Sequence, residues 1–282
     1  MLIVTCLALA IASAKRGEPA TVAKASSARI SNPVPSGTVS LAAPDQPGYM
    51  RRGSLSPDVR EILSVHGDRF ERPGKERLVL TGTLTRPNTS EKEAHAYRIV
   101  AEFPARLRFE EQVGASLQVI VFNQGQALKR GGPITSGDQD TLETLVFDSV
   151  DHFFGAQMNG FALRPLGNRF RLDGGSDEEY TGPVYEVYRL LDEVVIGPDA
   201  RQQQKLFYFN SNSLLLERVS YETKRDGGPL TVEVEFGNWT NMNGQKLPGL
   251  ITRRENGEQV FALTITAVAV TGRVSDGSFD RP

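Results

Sequence analysis

Few residues of this chain have the type and spacing that chemistry requires. Histidine occurs at His66, His95 and His152, and no two of these stand at the spacing of metal ligands, so no metal site is expected. Ser116 follows a glycine and an alanine but lacks the second glycine of a nucleophile elbow. The chain has no Walker loop and no G-x-G-x-x-G motif. We therefore expect neither enzymatic activity nor a cofactor, and hydrolysis is kept only as a third alternative.

One acidic stretch is a further candidate for chemistry. Asp173, Asp177, Glu178 and Glu179 lie close to a pair of glycines, but their spacing is not that of an EF-hand loop. A calcium site and a solvent-exposed acidic loop are both compatible with this composition. The spacing favours the loop.

The overall composition excludes one class of partner and favours another. The chain has 282 residues, a formal charge of -2 and an isoelectric point near 6.0. Proteins that bind nucleic acid usually carry a basic face, so this charge argues against nucleic acid. The 14 phenylalanines and 7 tyrosines supply large apolar area, which suits a core or the wall of a ligand cavity.

The N-terminus has the pattern of an export signal. Leu2–Ile11 is a short apolar run, and Ala12-Ser13-Ala14 is an A-x-A cleavage signature. A membrane-spanning helix needs roughly 20 apolar residues, so the run favours a cleaved signal peptide over an anchor. We expect a signal peptide over residues 1–14 and a disordered linker over residues 15–53. One folded domain over residues 54–282 would then lie in the periplasm or cell envelope.

The folded part is dominated by β patterns. Between Leu206 and Ile251, apolar runs are separated by turn signals, among them Asn243-Gly244. Asn-Gly tolerates positive φ and favours hairpins, and no helix intervenes, so this stretch predicts an antiparallel meander. Ser116–Phe122 is apolar on both faces, which predicts that both sides of that strand are covered. Roughly ten strands are expected in all.

Alternation along the strands divides the sheet into an apolar face and a charged face. Arg98 and Glu102 oppose the apolar residues of their strand, and Glu233 and Glu235 do so in another. The apolar face of a curved sheet is either a filled core or a cavity, and we predict a cavity that takes a fatty-acyl-sized ligand. The residues predicted to bind the ligand are Tyr97, Ile99, Phe103, Leu107, Phe109, Phe122, Phe207, Phe209, Val232, Val234 and Phe236.

Two helices interrupt the β pattern. Ser56-Pro57 is a helix start, and apolar residues follow at helical spacing as far as Phe70. In the middle of the chain, Ser136 and Gln139 form a capping box. The amphipathic helix after it is expected to lay its apolar stripe on one face of the sheet as a lid. The predicted lid residues are Leu142, Leu145, Val146 and Phe153.

A family resemblance rests on the succession of strands and turns. Lys205–Asn210 is followed by a strand that begins Ser213-Leu214-Leu215-Leu216-Glu217-Arg218, and later by Asn243-Gly244 and Leu247-Pro248. With its export signal and two helices, the chain resembles the lipoprotein-localisation carriers LolA and LolB over about residues 55–282. The resemblance implies a mainly β (α+β) fold, a strongly curved, incompletely closed antiparallel β-barrel with helices at its mouth. It also implies that the concave side binds acyl chains.

Two functions from different classes are carried forward. The first is an envelope carrier or sensor that binds a lipid, the acyl chains of a lipoprotein or another apolar ligand. The alternative is a protein-interaction or envelope-stress sensing module that contacts an envelope protein partner and has no small ligand. Contact with the membrane surface is compatible with both. The resemblance also implies a buried arginine, for which Arg86, Arg98 and Arg108 are candidates.

Overall fold

The computed structural model describes residues 57–70, 76–87, 94–102, 106–158, 164–169, 182–196, 199–225, 228–273, 275 and 277–282. The signal peptide, the linker, the acidic stretch and Phe103 lie outside these residues, so their predictions stay predictions.

The described residues form a chain of antiparallel strands with a few short helices. None of the helices in this part of the chain is long and apolar enough to cross a membrane. The helices are α1 (Pro57–Ser64), α2 (Ser136–Leu142) and α3 (Val150–Met158). The strands are β1 (Glu76–Thr85), β2 (His95–Glu102), β3 (Arg106–Val113), β4 (Ser116–Asn123), β5 (Gln126–Lys129), β6 (Arg164–Arg169), β7 (Tyr185–Ile196), β8 (Asp199–Asn210), β9 (Leu216–Arg225), β10 (Gly228–Gly237), β11 (Thr240–Met242), β12 (Gln245–Leu247), β13 (Leu250–Glu255) and β14 (Glu258–Gly272).

One large sheet contains most of these strands. Its 12 strands follow the order β5-β4-β3-β2-β1-β14-β13-β10-β9-β8-β7-β6, and β11 and β12 form a separate hairpin. The predicted meander is confirmed, and at its Asn-Gly turn both Asn243 (φ 52°) and Gly244 (φ 77°) have positive φ. The prediction of roughly ten strands was too low because β5, β11 and β12 are too short to show alternation.

The sheet is strongly curved but not closed, since β5 and β6 are its two edges within the described part. Register shifts mark the bends, and one lies between Thr81 and Gly82, where β1 pairs with β14. A side chain at Gly82 is sterically impossible, because a Cβ there would lie 1.8 Å from the carbonyl oxygen of Thr264. Such irregularities increase the local twist of a sheet, and here they help to fold it around a concave interior.

The two faces of the sheet differ as the alternation predicts. Tyr97 and Ile99 are buried on the concave face, whereas Arg98 between them is exposed. The convex face is not wet everywhere, because Val119 and Val121 of β4 are buried beneath Phe279 near the C-terminus. The prediction that β4 is covered on both sides is therefore confirmed.

The first predicted helix is confirmed. It spans α1 and continues, after a turn, into a single 3-10 turn at Asp68–Phe70. Val59, Ile62 and Leu63 are buried on one face of it, at the spacing that predicted the helix.

The second helix differs from its prediction in two ways. It begins one residue earlier, with Thr135 as N-cap: the Asp138 amide donates to the Thr135 hydroxyl, and the Thr135 amide donates to the Asp138 carboxylate. It is also broken, because α2 passes into a π-helical turn at Glu143–Phe147 and α3 starts only after Asp148 and Ser149. We call residues 136–158 the helical insert.

Candidate functional site

The helical insert lies over the concave face of the sheet, and two different environments lie between them. One is an apolar cavity, and the other is a set of buried charges. Thr144 contacts both environments, since it lines the cavity and its hydroxyl accepts a hydrogen bond of 3.2 Å from the Arg253 guanidinium.

The apolar cavity has a volume of about 130 Å³ and is lined by residues of β1, β2, β3, β9, β10, β12, β13 and β14, with the middle of the insert as its roof. Its roof consists of Leu145, Val146 and Val150 together with the polar Thr144, Ser149 and Asp151. A dry cavity of about 150 Å³ is known to hold benzene, whereas pockets for larger ligands measure about 300–1,000 Å³. The aliphatic residues of its floor and walls are Leu78, Leu80, Ile99, Ala101, Leu107, Leu216, Leu247, Ile251 and Ile265.

Charged residues line one part of the cavity. The Arg69 guanidinium donates two hydrogen bonds, of 3.0 and 3.1 Å, to the Asp151 carboxylate and so ties the 3-10 turn to α3. Glu76, Glu102 and Arg106 are also among the lining residues. The cavity is therefore apolar in its interior and polar at this side.

The second environment is a buried ionic cluster, which we define as Asp140, Glu143, Asp148, Lys205 and Arg253. Asp140 lies in the last turn of α2, Glu143 is the first residue of the π-helical turn, and Asp148 directly follows that turn. The two cations come from β8 and β13. The side chains of Lys205, Asp148 and Arg253 are 0% exposed. The cluster therefore joins the insert to β8 and β13 through buried side chains.

Arg253 is the centre of the cluster. Its guanidinium donates to Asp140 at 3.3 Å and to Glu143 at 3.4 Å, and it also donates to the Tyr221 hydroxyl at 3.1 Å. Glu255, two residues along the same strand, accepts a further bond of 3.0 Å from it. One arginine of the sheet thus holds two carboxylates of the insert.

Lys205 supplies the second attachment. Its ammonium donates to the Asp148 carboxylate at 2.6 Å and to the backbone carbonyl of Phe147 at 3.3 Å. Beside it, His152 of α3 donates to the Asp192 carboxylate of β7 at 2.8 Å. The break between the π-helical turn and α3 therefore lies at the point where the sheet binds the insert most closely.

Burial and the neighbouring charges shift the pKa values of the three carboxylates of the cluster in different directions. Burial raises the pKa of Asp148, and the neighbouring Glu143 adds to this while Lys205 opposes it. Burial likewise raises the pKa of Asp140 against the opposing charge of Arg253. For Glu143, burial would raise the pKa, but Lys205 and Arg253 outweigh it and lower the pKa below its usual range.

The carboxylate of Glu143 also lacks a hydrogen bond at one of its two oxygens. Its Oε1 atom is buried and has no hydrogen-bond partner, and the Lys205 ammonium lies 3.9 Å from it. A buried carboxylate oxygen without a donor is costly, so this atom is held in place by the charges around it and not by a hydrogen bond. π-helical turns of this kind are frequent at functional sites.

A buried histidine packs against Trp239, which lines the cavity. His66 is enclosed by the rings of Phe70, Phe209 and Trp239, and its Nδ1–H donates to the carbonyl of Ile62 at 2.8 Å. Its Nε2 atom is buried without a hydrogen-bond partner. Burial lowers the pKa of His66 to about 4, so the ring is neutral near pH 7.

The structure divides the predicted ligand-binding and lid residues between the apolar cavity and the filled core. Those that line the cavity are Ile99, Leu107, Phe236, Leu145 and Val146. The others within the described part pack in the filled core, namely Tyr97, Phe109, Phe122, Phe207, Phe209, Val232, Val234, Leu142 and Phe153. Their part in ligand binding stays a prediction.

The charged residues of the interior were missed by sequence analysis. Lys205 shares the inward side of its strand with Phe207 and Phe209, so strict alternation could have placed it inside. The three arginines considered lie elsewhere: Arg86 pairs with Glu111, Arg98 is exposed, and Arg108 donates to C-terminal carbonyl groups. The large, fully buried arginine of the described residues is Arg253.

Solved structures with a similar fold agree with this architecture. A LolA superfamily protein from Nitrosomonas europaea is 16% identical with a TM-score of 0.50, and the match covers 78% of this chain and 96% of that one. A putative outer membrane lipoprotein-sorting protein domain from Vibrio parahaemolyticus is 9% identical with a TM-score of 0.50, covering 79% and 94%. The fold is LolA-like. No family model and no curated protein matches the sequence.

The LolA-like fold confirms the mainly β, incompletely closed barrel that the sequence predicted. The insert occupies the concave side of this LolA-like sheet, and the apolar cavity lies directly beneath it. At these levels of identity the likeness shows the fold, and the function has to be argued from the cavity itself.

Proposed function

We propose that this protein is an exported binding protein of the cell envelope, which takes the acyl chain of a lipid or lipoprotein into the apolar cavity as a carrier or sensor. The observation that carries the proposal is the cavity itself, an aliphatic space of about 130 Å³ between the concave face and the insert. Buried apolar area drives such binding at roughly 25 cal/mol per Å² before the costs of association.

The cavity must enlarge to hold a long chain. Its present volume suits only a few carbon atoms, since about 150 Å³ accommodates benzene. The roof residues Leu145, Val146 and Val150 belong to the insert, and Leu145 is only partly buried. An outward shift of this roof would open the cavity, which is the lid role that the sequence predicted for Leu145 and Val146.

The alternative of a protein-interaction module receives no comparable support. Leu117, Leu128 and Leu191 are the exposed large apolar residues of the described part, and single exposed leucines are common on soluble proteins. The Vibrio parahaemolyticus domain named above carries lipoprotein sorting in its description, which agrees with the binding of acyl chains.

A cavity-filling variant tests the proposal. Ala101 lines the cavity on β2, and Ala96 is exposed on the same strand. We expect saturable binding of a fluorescent fatty acid to the wild-type protein and to Ala96→Phe, and loss of binding in Ala101→Phe. Circular dichroism checks that both variants fold. The proposal fails if the well-folded wild type shows no saturable binding and its native preparation carries no lipid by mass spectrometry.

A further inference from the structure

An open groove lies on the other side of one wall of the apolar cavity. Phe236 and Trp239 form this wall, since they line both spaces. The groove has a volume of about 670 Å³, within the range of about 300–1,000 Å³ that small-molecule pockets occupy. The cavity alone, at about 130 Å³, holds only a few carbon atoms. The groove therefore offers space for the part of an amphiphile that the cavity cannot contain.

Trp239 lies at the boundary between the two spaces. It belongs to the short link between β10 and β11, directly after Asn238, which has a positive φ of 54°. Its indole N–H donates to the carbonyl of Phe236 at 3.2 Å, and its ring packs against His66 with 5.3 Å between the ring centroids. Trp239 is only partly buried. A molecule that occupied both the cavity and the groove would therefore contact this ring.

The groove differs from the cavity in its chemistry. Side-chain amide and hydroxyl groups line it, from Asn210, Asn212, Ser213 and Asn238. Asn212 and Asn238 are exposed, and within the described part of the chain neither of their amide groups is bonded to another residue. An amide group provides both hydrogen-bond donors and an acceptor. These two side chains can therefore bind a polar ligand without first breaking a bond within the protein.

The charged residues of the groove favour an uncharged ligand. Arg218 already donates to Glu235 at 3.3 Å and to Glu233 at 3.2 Å. The Glu217 carboxylate accepts a bond of 3.1 Å from the Asn210 amide, and an ionised carboxylate can only accept. A ligand hydroxyl can donate to Glu217 and accept from an asparagine, whereas a ligand carboxylate can do only the second. Hydroxyl groups therefore match this lining better than an anion does.

We propose that the groove binds the uncharged, hydroxyl-bearing headgroup of an amphiphile, of the kind that a sugar or a glycerol provides, while its acyl chain passes Trp239 into the apolar cavity. This proposal rests on the function proposed above and adds to it the position and chemistry of the headgroup. Asn212, Asn238 and Glu217 bond the headgroup, and the Trp239 ring packs against the first carbons of the chain.

The fluorescence of Trp239 tests the position of the headgroup, because this is the one tryptophan of the chain. Two forms of a dodecanoyl monoglyceride are compared at saturation, one with bromine on the carbon next to the headgroup and one with bromine at the chain end. Bromine quenches tryptophan on contact. We expect the first ligand to remove most of the fluorescence and the second to leave most of it. Equal quenching, or stronger quenching by the chain end, would overturn the proposal.

Ligands that share one chain test the chemistry of the headgroup. Dodecyl maltoside, dodecyl glycerol ether, dodecanol, dodecanoate and dodecyltrimethylammonium compete with a fluorescent fatty acid below their micelle concentrations. We expect the tighter of the two hydroxylated ligands to bind about tenfold more tightly than dodecanol, because the headgroup adds hydrogen bonds. The two charged ligands should gain nothing comparable. The preference should not depend on salt, since the headgroup is uncharged.

Matched variants identify the residues responsible. Asn212→Ala removes one amide, and Asn238→Gly removes the other while keeping a residue that tolerates positive φ. Each should reduce the preference for the hydroxylated ligand over dodecanol to about threefold or less. Gln204→Ala is the control, since Gln204 is exposed on β8 and does not line the groove. Circular dichroism checks the fold of each variant.

The outcomes separate this proposal from the one on which it rests. If dodecanol binds as tightly as both hydroxylated ligands, or if the preference survives in both asparagine variants, the groove proposal is overturned while binding of the chain stands. If none of the ligands displaces the fluorescent fatty acid, both proposals fail.

Discussion

The apolar cavity and the buried ionic cluster lie side by side under the same helical insert, and they hold it in opposite ways. At the cluster, the insert is attached through Asp140, Glu143 and Asp148 to Arg253 and Lys205. At the cavity, its roof faces empty space and forgoes the dispersion contacts that a filled core would provide. The difference indicates that the insert is anchored at one side and free to yield at the other.

The ionic cluster and the cavity also differ in how their polar groups are paired. The charges of the cluster pair with one another and with neighbouring side chains, and all five of its residues are buried. The cavity has a mainly apolar lining with charged residues, among them Arg106 and Glu102, at one side. Under the proposed function, one part of the concave face anchors the insert and another binds the ligand.

The largest expected effect concerns Arg253. Arg253→Met removes the fully buried guanidinium that contacts both Asp140 and Glu143, so we expect the free energy of unfolding to fall by about 3–5 kcal/mol in urea denaturation. Arg254→Met is the control, because Arg254 is 38% exposed in its pair with Glu235, and its loss should be about 0–1 kcal/mol. Equal losses in the two variants would contradict an anchoring role for the cluster.

The next effect compares two leucines of the insert. Leu142 is 0% exposed in the filled core, so Leu142→Ala should cost about 2–5 kcal/mol. Leu145 is partly buried and already borders the cavity, so Leu145→Ala should cost less than Leu142→Ala and should change ligand affinity. Urea denaturation and fatty-acid titration measure the two quantities. A Leu145→Ala loss as large as that of Leu142→Ala would mean that the roof is packed as firmly as the core.

A smaller, pH-dependent effect is expected from His66. Its pKa of about 4 in the folded protein lies below the usual value of 6.5, so between these pH values the unfolded chain binds a proton that the folded protein does not. Its contribution is fully present above pH 6.5 and is lost as the pH falls toward 4, in total about 3 kcal/mol. Asp140 and Asp148 act in the opposite sense, because burial raises their pKa.

The variant His66→Phe isolates this contribution, since the carboxylates remain and its aromatic neighbours Phe70, Phe209 and Trp239 can pack against the new ring. The difference in unfolding free energy between the wild type and His66→Phe should change steadily between pH 6.5 and 4. A difference that is constant over this range would show that His66 titrates in the folded protein as it does in the unfolded chain.

Sequence patterns predicted the fold better than they predicted the site. Alternation in β2, β8 and β10 identified the concave face, because residues of one parity must share one side of a strand. Helical spacing located the insert but not its break, since the π-helical turn depends on contacts of Glu143 and Asp148 with distant strands. Local pattern carries no information about such contacts.

The cavity could not be located from sequence for a related reason. Ile99 lines the cavity, whereas its strand neighbour Tyr97 packs in the core, although both alternate in the same way. Which of two inward residues meets empty space depends on the curvature of the sheet and the height of the insert. The buried Arg253 escaped notice because a charged residue at an inward position looks, in sequence, like an interruption of the pattern.

Hydrogen–deuterium exchange with and without dodecanoate tests most directly whether the two sides of the insert behave differently. On binding, we expect exchange to change in the roof, residues 144–146 and 149–151, and in β1, β2 and β3 beneath it, while the amides of β7 and β8 beside the ionic cluster keep their rates. Binding that is accompanied by equal changes in β7 and β8, or by no change in the roof, would contradict the account of an apolar cavity that opens beside a closed ionic anchor.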